Sequence, residues 1–189
     1  SFLFEATPDL PAQWNQLQKL TGGEISIPSG IFLTHAHMGH YSGLMHLGRE
    51  AMGAQGVPVY AMPRMTQFLK ENGPWSQLVE LSNVVLMPLA NEEAVHISSQ
   101  LQVVPIEVPH RDEFSETVGY RIVGPNRSVL FIPDINKWDS WNRDLAAELR
   151  QVDRAYLDAT FYDAAEVGYR DMSEIPHPFM VETMDCLQN

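Results

Sequence analysis

Three of the seven histidines of this 189-residue chain fall within six positions, in Thr34-His35-Ala36-His37-Met38-Gly39-His40. His35 and His37 are two apart and follow the apolar run Ile31-Phe32-Leu33. At the end of a strand, period-two alternation puts both side chains on one face, so two imidazoles can reach one ion. His40 falls at the mouth of the next helix and can turn toward the same place. Ala36 and Gly39 are small enough to allow close approach. Imidazole is the commonest protein ligand for zinc and also suits iron and copper. The chemistry to expect is therefore that of a bound metal.

The elements that must position these residues can be read along the chain. The apolar run before the cluster, bounded by Pro28 and Gly30, suits a buried strand over residues 31–34. Residues 41–52 read as a helix stopped by Gly53, with Met38, Met45 and Met52 at helical core spacing. Residues 1–6 read as a strand and 8–20 as a turn and short helix with Trp14, Leu17 and Leu20 on one face. Residues 57–61 form a strand, and Pro63 opens a helix to Lys70. Strands follow at 84–87, 94–97, 101–108, 117–123 and 127–132, the last two joined by a turn at Gly124-Pro125-Asn126. A helix over 140–150 leads to a short strand at 155–157, and a last helix starts near Phe179. This alternation predicts a layered α/β domain covering residues 1–189, with no second domain.

Composition narrows the function classes. Apolar residues make up 44% and charged residues 19%, an ordinary globular balance. The formal net charge of -12 argues against a nucleic-acid partner held by bulk electrostatics. Cys186 is the single cysteine, so no internal disulfide framework exists. No apolar run approaches the ~18 residues of a membrane span. The expected partner is a small-molecule substrate, with a homodimer left open, no membrane, and the cytoplasm as the default compartment. Both ends read as the interior of a longer protein.

The motif itself resembles the signature of the metallo-β-lactamase superfamily, His-x-His-x-Asp-His after an apolar strand. His35, His37 and His40 match, and Gly39 stands where the family has aspartate. The chain looks closest to bacterial members of the branch holding ribonuclease Z-type phosphodiesterases and the pyrroloquinoline quinone biosynthesis B protein. The resemblance implies a four-layer αββα sandwich, truncated at both ends and lacking the strand that bears the last metal histidine. It implies that His110, in Val108-Pro109-His110, is the third histidine of the first site, and that Asp134 is the bridging carboxylate. It places Asp158 as a carboxylate supporting the site and His177 in an acid or substrate-contact role. On the residues alone, Asp134 also suits a turn, Asp158 a helix or turn cap, and His177 a rigid proline-flanked loop. His46 and His96 have no such context and read as structural. Trp138 and Trp141 read as core or rim.

The implied metal set is His35, His37, His40, His110 and Asp134, with His40, Asp134 and His177 as the catalytic residues. The implied cofactor is one or two divalent ions, zinc first, with iron or manganese as alternatives. The implied activity is hydrolysis of a small ester or phosphodiester by a metal-bound hydroxide, since three neutral histidines with an open position lower the pKa of bound water to about 7. Because Gly39 offers no ligand, one ion should be held more tightly than a second. Two other readings belong beside this one. They are a non-hydrolytic iron protein of quinone-cofactor-biosynthesis type, and an inactive binding module on the same fold.

Overall fold

The computed structural model describes residues 1–23, 27–168, 170–171 and 175–187. The chain divides into two compact units, Ser1–Ala90 with Asp112–Glu116, and Asn91–Arg111 with Thr117–Asn189.

The first unit is built on a four-stranded sheet in the order β1-β2-β3-β4, formed by β1 (Phe2–Phe4), β2 (Gly30–Phe32), β3 (Val57–Ala61) and β4 (Val84–Pro88). All three pairings are parallel. A parallel sheet needs cover, so its strands read as near-continuous apolar runs. Ile31, Phe32, Leu33 and Val59 are accordingly fully buried. The rings of Phe4, Phe32 and Tyr60 stack across β1, β2 and β3, with centroids 5.0 and 4.4 Å apart. Gly30 leaves room for the Phe2 and Tyr60 rings, since a Cβ there would sit 2.9 and 3.0 Å from them. The helices are α1 (Leu10–Leu20), α2 (Met38–Tyr41), α3 (Pro63–Glu71) and α4 (Trp75–Glu80). Because the strands run one way, the chain leaves β1 at Glu5 and β2 at Thr34 on the same edge of the sheet. Glu5 N donates to Phe32 O at 2.8 Å there.

The second unit holds a five-stranded sheet in the order β5-β6-β7-β8-β9. Its strands are β5 (Val95–His96), β6 (Gln102–Glu107), β7 (Val118–Val123), β8 (Ser128–Ile132) and β9 (Arg154–Leu157). The first three pairings are antiparallel and β8–β9 is parallel. The turn between β7 and β8 closes with Gly124 N donating to Arg127 O at 2.9 Å. The helices are α5 (Leu145–Leu149), α6 (Ala164–Val167) and α7 (Met180–Cys186). Asp144 caps α5 by accepting from Ala147 N at 2.7 Å. Trp138 and Trp141 join Ile106, Leu130, Ile132 and Ile135 in this unit's core.

The main departure from the sequence reading lies just after the histidine cluster. The segment read as a helix over 41–52 is instead the single turn α2 followed by a 3₁₀ helix, Ser42–Leu47. The cause is tertiary. Ala6 N donates to His40 O at 2.9 Å and Gly43 N donates to Ala6 O at 2.8 Å, pinning this segment to the chain leaving β1. A tightened helix of about three residues per turn loses the seven-residue register. Met38, Met45 and Met52 do not share one helical face, and they lie outside the core, 66%, 51% and 40% exposed. Leu20 is also exposed, and α1 packs through Leu10 and Trp14. Residues 140–150 give a 3₁₀ turn, Trp138–Ser140, and the short α5 instead of one helix. The helix α4 was not anticipated after Asn72-Gly73-Pro74. Among the described residues no helix is long and apolar enough to cross a membrane.

Two glycines four apart make opposite predictions. A Cβ on Gly43 would collide with the Thr7 carbonyl oxygen and stand 2.8 Å from that of Ala6, and backbone cannot swing aside. A Cβ on Gly39 would meet nothing within 4 Å. Gly43→Ala should destabilise the protein by about 1–3 kcal/mol in urea unfolding, whereas Gly39→Ala should stay within about 0.5 kcal/mol.

Candidate metal centre

In the first unit the loop leaving β2 carries His35 and His37, and α2 carries His40. The Nε2 atom of His35 and the Nδ1 atom of His37 point at each other across 2.9 Å. The outer nitrogens are already engaged. His37 Nε2 lies 2.9 Å from a Glu113 carboxylate oxygen, and His35 Nδ1 lies 2.9 Å from the Thr34 hydroxyl. A carboxylate only accepts, so in neutral His37 the proton is on Nε2 and Nδ1 presents a bare lone pair. The Thr34 hydroxyl can take the His35 Nδ1 proton. With that proton on Nδ1 both inner nitrogens face inward as acceptors, an arrangement suited to a cation, and with it on Nε2 His35 donates to His37 across the same 2.9 Å. Two nitrogens on a tetrahedral zinc ion at ~2.05 Å would stand about 3.3 Å apart. The donor set and its spacing fit a divalent ion.

His40 is held differently. Its Nδ1 pairs with a carboxylate oxygen of Glu5, and its ring centroid stands 4.3 Å from that of His35. Glu5 is 7% exposed and has φ of 81°, the left-handed region that non-glycine residues rarely adopt. Its other oxygen accepts from Thr34 N at 3.0 Å. One buried carboxylate thus fixes both the start of the histidine loop and the orientation of His40.

In the second unit, His110 lies between β6 and β7, and its side chain is fully buried. Its Nδ1 faces Asn136 Oδ1 at 3.3 Å, while Nε2 stands 3.6 Å from Asp134 Oδ2. Asn136 is itself placed by its backbone N–H donating to Pro109 O at 2.7 Å. Again an oxygen lies against the outer nitrogen, and the inner one is turned to Asp134. Asp134, at the end of β8, also groups with Asp158 and His177, with one ligand atom of each within 4.8 Å of the others. The His110 and His177 rings are 5.3 Å apart.

Asp158 is 2% exposed and close to saturated. One oxygen accepts from Thr160 N at 3.0 Å and Thr160 Oγ1 at 2.7 Å. The other accepts from Ile135 N at 3.2 Å and from His177 Nδ1 at 2.5 Å. One oxygen is thus held within the local turn, and the other ties the Ile135 amide to His177. Burial works to lower the pKa of His177, but the hydrogen bond and charge of Asp158, joined by the charge of Asp134, raise it on balance. The second unit therefore gathers His110, Asp134, Asp158 and His177, and the first gathers His35, His37 and His40. His46 is half-buried and His96 exposed, and neither belongs to the metal-competent groups found among the described residues.

Sequence reasoning missed Glu5, Glu113 and Asn136. Glu5 had a signal, because it is a lone carboxylate closing the apolar run Phe2-Leu3-Phe4. Glu113 and Asn136 had only proximity in sequence to His110 and Asp134.

The sequence profile of the β-lactamase superfamily domain matches residues 1–189. Among solved structures, zinc-bound PqqB from Methylobacterium extorquens has 21% identity and a TM-score of 0.75, and the alignment covers 94% of this chain and 64% of that one. A diphosphatase of the PhnP family has 21% identity and a TM-score of 0.62, covering 98% of this chain and 63% of that one. The short form of human tRNase Z has 15% identity and a TM-score of 0.61, covering 99% of this chain and 76% of that one. The first two are thus spanned over a little under two thirds of their length. No curated protein matches the chain in sequence. Two sheets with helices, as described above, match the metallo-β-lactamase fold that the histidine motif implied.

Removing Asp158 should expose how much it holds. Asp158→Ala leaves the Ile135 and Thr160 amides and His177 without their acceptor. It should lower the stability of metal-free protein by about 3–5 kcal/mol in chemical denaturation. Thr160→Ala, which removes one hydroxyl, should lower it by about 1 kcal/mol. Equal effects would show that Asp158 is only a turn former.

Proposed function

This chain belongs to the β-lactamase superfamily, and on that footing we propose that it is a metal-dependent hydrolase of a small ester or phosphodiester. The proposed ligands of its tighter ion are His35, His37 and His110, with Asp134 as the carboxylate. The observation that most supports this is the 2.9 Å approach of His35 Nε2 and His37 Nδ1 with both outer nitrogens engaged by oxygens. An ion bound there supplies Lewis acidity and lowers the pKa of water at the site.

The remaining work falls to the chain's own residues. Thr34, Glu113 and Asn136 orient the ligand rings, so little reorganisation accompanies binding. Asp158 holds the Nδ1 proton of His177, which leaves Nε2 to offer a proton to a departing alkoxide. The raised pKa of His177 suits that role of general acid. Two structural neighbours, a diphosphatase of the PhnP family and a tRNase Z, support phosphoester substrates as a class. The net charge of -12 favours a small substrate over a long polyanion.

The position of Gly39 favours one ion over two. Gly39 contributes no ligand, which leaves His40, oriented by Glu5 through Nδ1, as the one motif histidine beyond the His35–His37 pair. Elemental analysis of purified protein should find about one metal per chain, as argued from ligand count. Folded protein with no metal and no zinc uptake would overturn the reading. Gly39→Asp, for which the space is open, should move the count toward two. Iron in protein purified without oxygen would favour the non-hydrolytic alternative.

The role of His177 is tested separately. His177→Gln should keep the metal and lower hydrolysis of an activated phosphodiester by about 10²–10⁴-fold. Loss of metal together with activity would make His177 a ligand instead.

A further inference from the structure

The loop Asp112–Glu116 belongs to the same compact unit as the histidine cluster, although it follows His110 in sequence. It is anchored at several points. Ser115, 2% exposed, accepts from Ala36 N at 2.8 Å, between the two histidines, and donates to Glu116 O at 2.9 Å. Both oxygens of the Glu116 carboxylate accept from Arg64 N in the first turn of α3, at 3.1 and 3.0 Å. The Arg64 guanidinium donates to Asp112 O at 2.9 Å. The Phe114 ring packs 5.6 Å from that of Phe68 on α3. Residues on both sides of Glu113 are therefore fixed before its own side chain is considered. That side chain is 48% exposed and reaches His37 Nε2. An exposed ion pair on its own contributes little. A carboxylate that takes the outer proton of a metal-binding imidazole is different, because it fixes the tautomer and makes the inner nitrogen a better donor.

We propose that Glu113 is a positioning residue for metal binding. It commits His37 to coordinate through Nδ1. It also supplies, from outside the ligand set, a negative charge toward the ion that Gly39 cannot supply from within. This rests on the metal reading above. The coupling runs from the Asp112–Glu116 loop through one hydrogen bond to one ligand atom. Loosening that loop should therefore weaken metal binding without disturbing the core, because no residue of the apolar cluster of this unit lies in it.

Zinc affinity can be measured at neutral pH by competition with a chromophoric chelator, for the wild type, Glu113→Gln and Glu113→Ala. Glu113→Ala should weaken zinc binding by about 10–100-fold. Glu113→Gln keeps an acceptor oxygen but not the charge and should fall between it and the wild type. Thermal unfolding of the three metal-free proteins should coincide, which separates a ligand effect from a folding defect. Long-range nitrogen–proton NMR of the zinc-loaded wild type should place the His37 proton on Nε2. In Glu113→Ala that resonance should broaden or move. Zinc affinity of Glu113→Ala within twofold of wild type would overturn the inference while leaving the metal reading intact. So would a His37 proton on Nδ1, which would mean coordination through Nε2. Folded wild type that takes up no zinc would overturn both.

Discussion

The constraint on which the histidine group of each unit depends is the filling of each imidazole's outer nitrogen. An unrestrained histidine offers either ring nitrogen and can rotate. Here His35 Nδ1 meets the Thr34 hydroxyl, His37 Nε2 meets Glu113 and His110 Nδ1 meets Asn136. Once an oxygen has taken the outer proton, the inner nitrogen can only be a lone-pair donor. The partners differ in charge: a hydroxyl, a carboxylate and an amide. The carboxylate, which can only accept, sets the tautomer of His37, while the hydroxyl and the amide hold the orientation of the His35 and His110 rings.

The backbone arrangement makes those choices possible. Parallel strands end on one edge, so the chain leaving β1 and the chain leaving β2 emerge side by side, and Glu5 can bond both Thr34 N and His40. Ligand-binding residues in parallel α/β sheets gather at such carboxyl ends. In the second unit the end of β8 provides Asp134 and the residue following β9 provides Asp158, which are neighbours because β8 and β9 also pair in parallel. The one parallel pairing of an otherwise antiparallel sheet is thus the one that sets two carboxylates together. Asp158 spends its acceptor capacity on Ile135, Thr160 and His177. It is a fixed point for the site rather than a free ligand.

Gly39 is the main departure from the family signature, and its consequence is electrostatic. A carboxylate there would add both a ligand and a negative charge. The structure retains charge near the histidines without that ligand, through Glu5 on His40 and Glu113 on His37. Outer carboxylates strengthen a donor nitrogen but do not complete a second coordination sphere. That composition is what the proposal of one ion rather than two rests on.

The sequence by itself determined the strands, the metal-binding residue types and the family. Buried parallel strands must be apolar, His35 and His37 stand two apart just beyond such a strand, and a signature of three histidines is specific enough to recognise. These properties are local, being carried by residue type and spacing. Only the tertiary structure decided the partners of those histidines. Glu5 is 35 residues from His40 and Glu113 is 76 from His37, and no periodicity reports contacts across such distances. The same holds for the segment after the cluster. Its pattern reads as a helix, but hydrogen bonds from Ala6 and Gly43 tighten it into a 3₁₀ turn and put three methionines outside. Local pattern sets which elements can form. Long-range hydrogen bonds to buried polar groups, which cannot be left unmade, set their final geometry and the tautomers of the site.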